Sequence, residues 1–171
     1  LPYNEAALRT VLENIDKVQD VLQRTILVEN PSAYLGFKNS DMTETEFLSA
    51  LVKQTDCQLL LDINNVYVSA NNQHFCSQQY LNDYPLYAVN EIHLAGHASE
   101  IIDNEKVLID DHGSPVIDSV WQLYQYALQK IKQTKKPPPP VLIEWDTDVP
   151  ELNTLLNEAD KAKRLLLEHS Q

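Results

Sequence analysis

Glycine is scarce in this chain of 171 residues, with only 3 in total, and no G-x-G-x-x-G or G-x-x-x-x-G-K-S/T motif follows any apolar run. Nucleotide-binding versions of an alternating helix and strand fold therefore have no support. Cysteine is nearly as rare: Cys57 and Cys76 have no C-x-x-C spacing, so neither a disulfide framework nor a redox motif is indicated. Cys57 reads as a core residue leading into a strand, while the role of Cys76 stays open. Positive charge is also in short supply, with Lys and Arg numbering 13 against 25 Asp and Glu, a formal net charge of -12. A protein that binds nucleic acid needs a basic face to displace counterions, so nucleic acid is an unfavourable partner. No apolar run reaches membrane-spanning length, and no secretory signal opens the chain. A cytoplasmic location is the default expectation. The first residue is Leu1 rather than Met, which hints at an upstream segment removed or processed.

What is present is enough for one core. A hydrophobic content of 43% places the chain among ordinary globular proteins and sets one domain, residues 1–171, as the starting expectation. Residues 4–24 carry Leu8, Val11, Leu12, Ile15, Val18 and Leu22 at helical spacing, an amphipathic helix. A short strand follows at 25–28, broken by Asn30-Pro31-Ser32. Thr43 and Glu46 have capping-box spacing and open a helix ending near Thr55. Residues 58–62 form a second strand without alternation, as in a parallel sheet buried on both faces. A long asparagine-bearing connection and a modest helix at 78–83 lead to strands at 89–94 and 106–109. Ser114-Pro115 opens another helix, and the prolines at 137–140 read more plainly as a stiff connector than as a recognition motif. A fifth strand at 141–143 precedes a final helix that starts after Asp148 and Pro150. Such alternation predicts an α/β fold with parallel strands and right-handed crossovers, either a closed barrel or an open doubly wound sheet.

The apolar runs share one property. They deliver Glu29, Asp62, His93, Asp110 and Glu144 at or just past their ends. Burying such groups costs several kcal/mol unless they are paired or metal-bound, so the recurrence asks for a common cause. Each residue also has a plainer reading. Glu29 and Glu144 singly could serve as cap or ion-pair partners, and Asp62 in D-I-N-N could simply make a turn. His93 and His97 could be satisfied core or loop histidines, with His97, beyond Gly96, better suited to supporting a ligand than to being one. Asp110 and His112, two residues apart, would point the same way if their strand continued, which suits a shared metal site. The set joins carboxylates and imidazoles without a thiolate, a chemistry that fits iron, manganese or zinc, and a carboxylate such as Glu29 or Glu144 can bridge two ions.

The segments L-L-L-D-I-N-N-V-Y-V-S, E-I-H-L-A-G-H, I-D-D-H-G and L-I-E-W-D, with E-N-P-S at residues 29–32, resemble the multinuclear non-haem iron-dependent oxidative enzymes. The resemblance covers essentially the whole chain. It implies a xylose isomerase-like TIM (β/α)8 barrel that oxidatively modifies cysteine-containing peptides, with a small partner protein presenting the peptide. It also implies iron, two or more ions, held by Glu29, Asp62, His93, Asp110, His112 and Glu144, with Asn65 possible and Asn64 and His97 as supporting or substrate-facing residues. The order of ligands is more distantly similar to that of endonuclease IV, which has a histidine where this sequence has Asn65. That substitution and the acidic composition weigh against DNA repair.

A full barrel needs about 250 residues and eight strand-helix units. About five such units are expected here, which reads as the C-terminal portion of a barrel lacking its first strands. An incomplete metal site and self-association through an open sheet edge follow as expectations for the isolated chain. Two other functions remain in view: a divalent-metal isomerase or hydrolase of the same barrel class, and a non-catalytic scaffold that binds a partner at the strand ends.

Overall fold

The computed structural model describes residues 1–169. Helix α1, Glu5–Leu22, starts where the Asn4 side chain accepts a hydrogen bond from the Ala7 N–H at 3.0 Å, and it buries Leu8 and Ile15. It leads into strand β1, Leu27–Glu29, and then across a loop to helix α2, Glu44–Thr55. The capping box forms as its spacing predicts: Thr43 Oγ1 accepts from Glu46 N–H, and Glu46 Oε2 accepts from Thr43 N–H at 2.7 Å. Strand β2 is Gln58–Asp62, and β3 is Val89–Leu94 after helices α3, Ile63–Gln73, and α4, Ser77–Asp83. Strands β4, Ala98–Ile102, and β5, Glu105–Ile109, precede helix α5, Asp118–Gln133. Strand β6, Val141–Ile143, and helix α6, Leu152–His169, complete the order.

The main sheet runs β1-β2-β3-β6, and each neighbouring pair is parallel. Leu59, Leu61, Ile92 and Leu94 are fully buried in its two central strands, as continuous apolar runs require when helices cover a parallel sheet. Val120, Trp121 and Tyr124 of α5 join the same core as Leu8 of α1 and Phe47 of α2, so the described residues share one hydrophobic interior. Parallel pairing brings all four carboxyl ends to one edge of the sheet. In the register, Asp62 lies beside His93, and His93 beside Leu142.

Two expectations need correction. Residues 106–109 do not form a further parallel strand: β5 pairs antiparallel with β4, from Ala98 beside Ile109 to Ile102 beside Glu105, in a separate two-stranded hairpin. The parallel sheet therefore has four strands among the described residues, rather than five. An apolar run as short as Val107-Leu108-Ile109 cannot by itself distinguish a sheet strand from a hairpin arm, and only Leu108 of β5 is fully buried. The asparagine-rich connection after β2 is also not a loop. It is helix α3, capped by Asp62, with Ile63, Val66, Val68 and Ala70 buried. Asparagine has weak helix propensity, and tertiary burial overrides it here.

Candidate metal centre

The carboxyl ends of the strands place their polar residues in one cluster. Glu29 closes β1, Asp62 closes β2, His93 lies near the end of β3, and Glu144 follows β6. Each offers one ligand atom, and these atoms all lie within 4.8 Å of one another. His112, Glu144 and Asp146 make a second group of the same tightness, so Glu144 belongs to both. Its Oε2 sits 2.9 Å from His93 Nδ1 and 3.5 Å from His112 Nδ1. The other nitrogen of His93, Nε2, lies 3.3 Å from Glu91 Oε1.

Asp62 shows how the fold aims a ligand. Its Oδ1 accepts from the Asn65 N–H at 2.6 Å as the cap of α3, while its Oδ2 is buried without a hydrogen-bond partner. Asn30, at 1% exposure, locks β1 to β2 at this point: Asn30 Oδ1 accepts from Asp62 N–H and its Nδ2 donates to the Asp62 carbonyl, both at 3.0 Å. Asn65 donates through Nδ2 to the Asn30 carbonyl at 3.0 Å, and its Oδ1 is buried and unpartnered. Burial pushes the Asp62 carboxyl up to about 7, and the Asn65 hydrogen bond offsets only part of that rise. Burial likewise raises Glu29, against the pull of His93.

Asp110 and His112 do converge, although not by continuing a strand. Strand β5 stops at Ile109, and the chain then turns so that His112 adopts a left-handed backbone, φ 46°. His112 Nε2 comes within 2.8 Å of Asp110 Oδ1 but lies off the line of a hydrogen bond, and the nitrogen is buried without an aligned partner. Proximity to Asp110 lifts the His112 imidazole up to about 9 despite burial. Burial raises Asp110, but contacts with His112, Ser32 and Asn64 outweigh it and hold the carboxyl below its ordinary value. Asn64 Nδ2 donates to Asp110 Oδ1 at 2.7 Å, and Asn64 Oδ1 faces His97 Nδ1 at the same distance, 2.7 Å. All nine residues singled out from the sequence thus lie in one connected neighbourhood.

Four more residues belong to it. Asp146 Oδ2 lies 3.4 Å from His112 Nδ1, and the Tyr34 hydroxyl accepts from Asp110 N–H at 2.9 Å. The Asp111 carboxylate accepts from Ala98 N–H at 2.9 Å, pinning the turn before His112 to the start of β4, and Asn30 makes the tie described above. Asp146 stands two residues after Glu144, the same spacing that marked Asp110 and His112, so its signal was present. Asn30 directly follows the strand-end glutamate. Tyr34 carries no comparable pattern, because a loop tyrosine 76 positions before Asp110 meets it only through the fold.

The donor set fits a cation. Among the described residues, histidines alone form ion pairs with Asp110, Glu144 and Asp146. Asp62 Oδ2, Asn65 Oδ1 and His112 Nε2 are buried with no aligned partner, three atoms whose desolvation a bound ion would offset. Oxygen and imidazole donors together suit iron, manganese or zinc.

Comparison with known proteins places the chain in a family. The chain is 47% identical to a UPF0276 protein of Rhizobium meliloti over 171 residues, covering 99% of this chain and 54% of that protein. A UPF0276 protein of Vibrio vulnificus is 49% identical across 97% of this chain and 55% of its own length. One of Acaryochloris marina is 47% identical across 99% and 58% respectively. The chain thus spans about half the length of the curated relatives it matches. The family model described as "RiPP precursor modification enzyme MbnB/TglH/ChrH" matches residues 1–167, and with nearly every residue included this chain belongs to that family.

Proposed function

We propose that this chain carries the metal-binding face of an enzyme that oxidatively modifies a cysteine-containing precursor peptide, with iron as the metal. The observation that carries the reading is the convergence of Glu29, Asp62, His93 and Glu144 at the carboxyl ends of parallel strands, with Glu144 shared by a second group. Strand ends are where βα-barrel enzymes hold their chemistry, and the parallel β1-β2-β3-β6 order supports an arc of a TIM barrel built on a single core. Membership in a family described by precursor modification supports a peptide substrate. A small protein that presents the peptide is part of the proposal.

Glu29, Asp62, His93, Asp110, His112 and Glu144 would hold the ions, with Asn65 and Asp146 as further donors. Bound iron supplies redox chemistry with dioxygen. The protein's share is orientation. Asp62 is aimed by its cap bond to α3, and Asn30 keeps β1 and β2 in register at the site. His112 is held by a turn whose carbonyl accepts from Asp146 N–H at 2.9 Å and whose neighbour, the Asp111 carbonyl, accepts from Thr147 Oγ1.

Metal analysis after purification without added metal tests this reading, together with mass spectrometry of a cysteine-containing peptide incubated with the iron-loaded, full-length protein under air. Iron in the protein and an oxygen-dependent mass change in the peptide are expected. Zinc or manganese supporting hydrolysis or isomerisation without oxygen uptake would replace it with the divalent-metal alternative.

A further inference from the structure

Asn64 is an unusual residue for its place in the fold. It is completely buried at 0% exposure in the first turn of α3, where asparagine contributes little to helix stability. Its amide has two different ends, and the partners decide which end goes where. A carboxylate oxygen accepts, so the atom 2.7 Å from Asp110 Oδ1 is the donating Nδ2. The other end, Oδ1, then faces His97 Nδ1 at 2.7 Å. An amide oxygen cannot donate, so His97 Nδ1 carries the proton. Flipping the amide would set its oxygen against a carboxylate oxygen at hydrogen-bond distance, which is repulsive.

The remaining nitrogen of a neutral His97 is therefore a bare acceptor. Among the described residues nothing bonds to His97 Nε2, and unlike His112 Nε2 it is not sealed from solvent. The ring is kept in place from several sides. Tyr67 lies against it with ring centres 5.3 Å apart, Ser114 Oγ donates to the His97 carbonyl, and Gly96 packs directly onto the Ser114 carbonyl with no room for a Cβ.

We propose that Asn64 is a positioning residue that fixes His97 as the Nδ1–H tautomer, presenting Nε2 as a proton acceptor, and that it holds Asp110 in place with the same amide. His97 Nε2 is then the atom to receive a proton from an acidic S–H or N–H group of a substrate, becoming an imidazolium that returns the proton on product release. The part concerning Asp110 rests on the metal-centre reading above, whereas the tautomer does not.

Nitrogen-15 NMR of histidine-labelled protein, without metal, tests the tautomer directly, with the His97 signals identified by their loss in His97→Gln. Wild type should show a protonated Nδ1 and a bare Nε2. Asn64→Ala should release the ring to the Nε2–H form. A wild-type His97 protonated on Nε2, which needs no variant to detect, would overturn the proposal, as would an unchanged tautomer in Asn64→Ala. Titration with Mn(II) forms the second arm, in which Asn64→Ala should bind about tenfold more weakly than wild type. Equal Mn(II) affinity in both proteins would overturn the claim on Asp110. Absence of binding in wild type would instead count against the metal centre, leaving the tautomer result standing.

Discussion

Asp62 divides its two oxygens between two tasks, one capping α3 and one left buried toward the cluster, and this division shows how single residues here serve both fold and site. Asp110 and His112 are less tied to the fold. If they are ligands, Asp110→Ala and His112→Ala should each abolish metal binding while changing stability little, because the turn around them is pinned by Asp111 and Asp146. If they form only a structural pair, removing either strands the other and destabilises by about 3 kcal/mol. Melting curves measured beside metal content separate these outcomes. Away from the cluster, burial raises the Glu44 carboxyl, and the nearby Tyr80 and Tyr3 hydroxyls offset that only in part. Its Oε1 is buried without an aligned partner. The folded chain therefore keeps a proton on Glu44 in a pH range where the unfolded chain has already released it. The stabilisation is complete below the ordinary carboxylate value of 4.5 and is lost as pH rises from there through the raised folded value. Glu44→Gln should melt higher than wild type at pH 7 and lose that advantage at about pH 4. Melting temperatures of both proteins across this range provide the check.

At the scale of elements, the hairpin β4–β5 and the segment 95–97 act as a unit with the turn at Ser114. Gly96 is buried, and an added Cβ would meet the Ser114 carbonyl carbon at 2.5 Å. Gly96→Ala should cost about 1–3 kcal/mol by overpacking, measured in urea, and should displace His97 from Asn64. The sequence made the helices legible where apolar spacing was strong, as in α1 and α5, and where a cap was explicit, as in α2. It misled where two physical effects competed. Asparagine at 64, 65, 71 and 72 argued for a loop, but burial of the intervening apolar residues outweighed propensity and made α3. The run before Asp110 carried the same pattern as the sheet strands, and only pairing with β4, twelve residues or fewer away along the chain, distinguishes a local hairpin from a crossover strand. The site was more legible than the sheet. Glu29, Asp62, His93 and Glu144 lie together because parallel strands bring their carboxyl ends together whatever their number, whereas Asp110 reaches them from the end of the β4–β5 hairpin. In the sequence Asn30 signals only a strand break and Tyr34 signals nothing, since their roles depend on partners distant in sequence.

For the whole molecule, β1 and β6 are the outer strands of the parallel sheet, each with one row of backbone groups unpaired by another strand among the described residues. Beside β1 lies a cavity of about 950 Å³ lined by Tyr3, Val28, Phe47, Leu48 and Leu51 and opening to Glu29. Open parallel edges next to apolar surface favour association. The isolated chain should therefore elute as a dimer or larger species, and light scattering that returns a monomer at micromolar concentration would refute this. The carboxylate of Glu144, common to both donor groups, has a consequence for how such a molecule fills with ions. A carboxylate drawn toward one cation has less negative charge left for a second, and two cations repel across it. If both groups take a cation, loading is sequential: the first equivalent would set the geometry that the second encounters, and the half-loaded protein would be a distinct chemical species rather than a mixture of full and empty molecules.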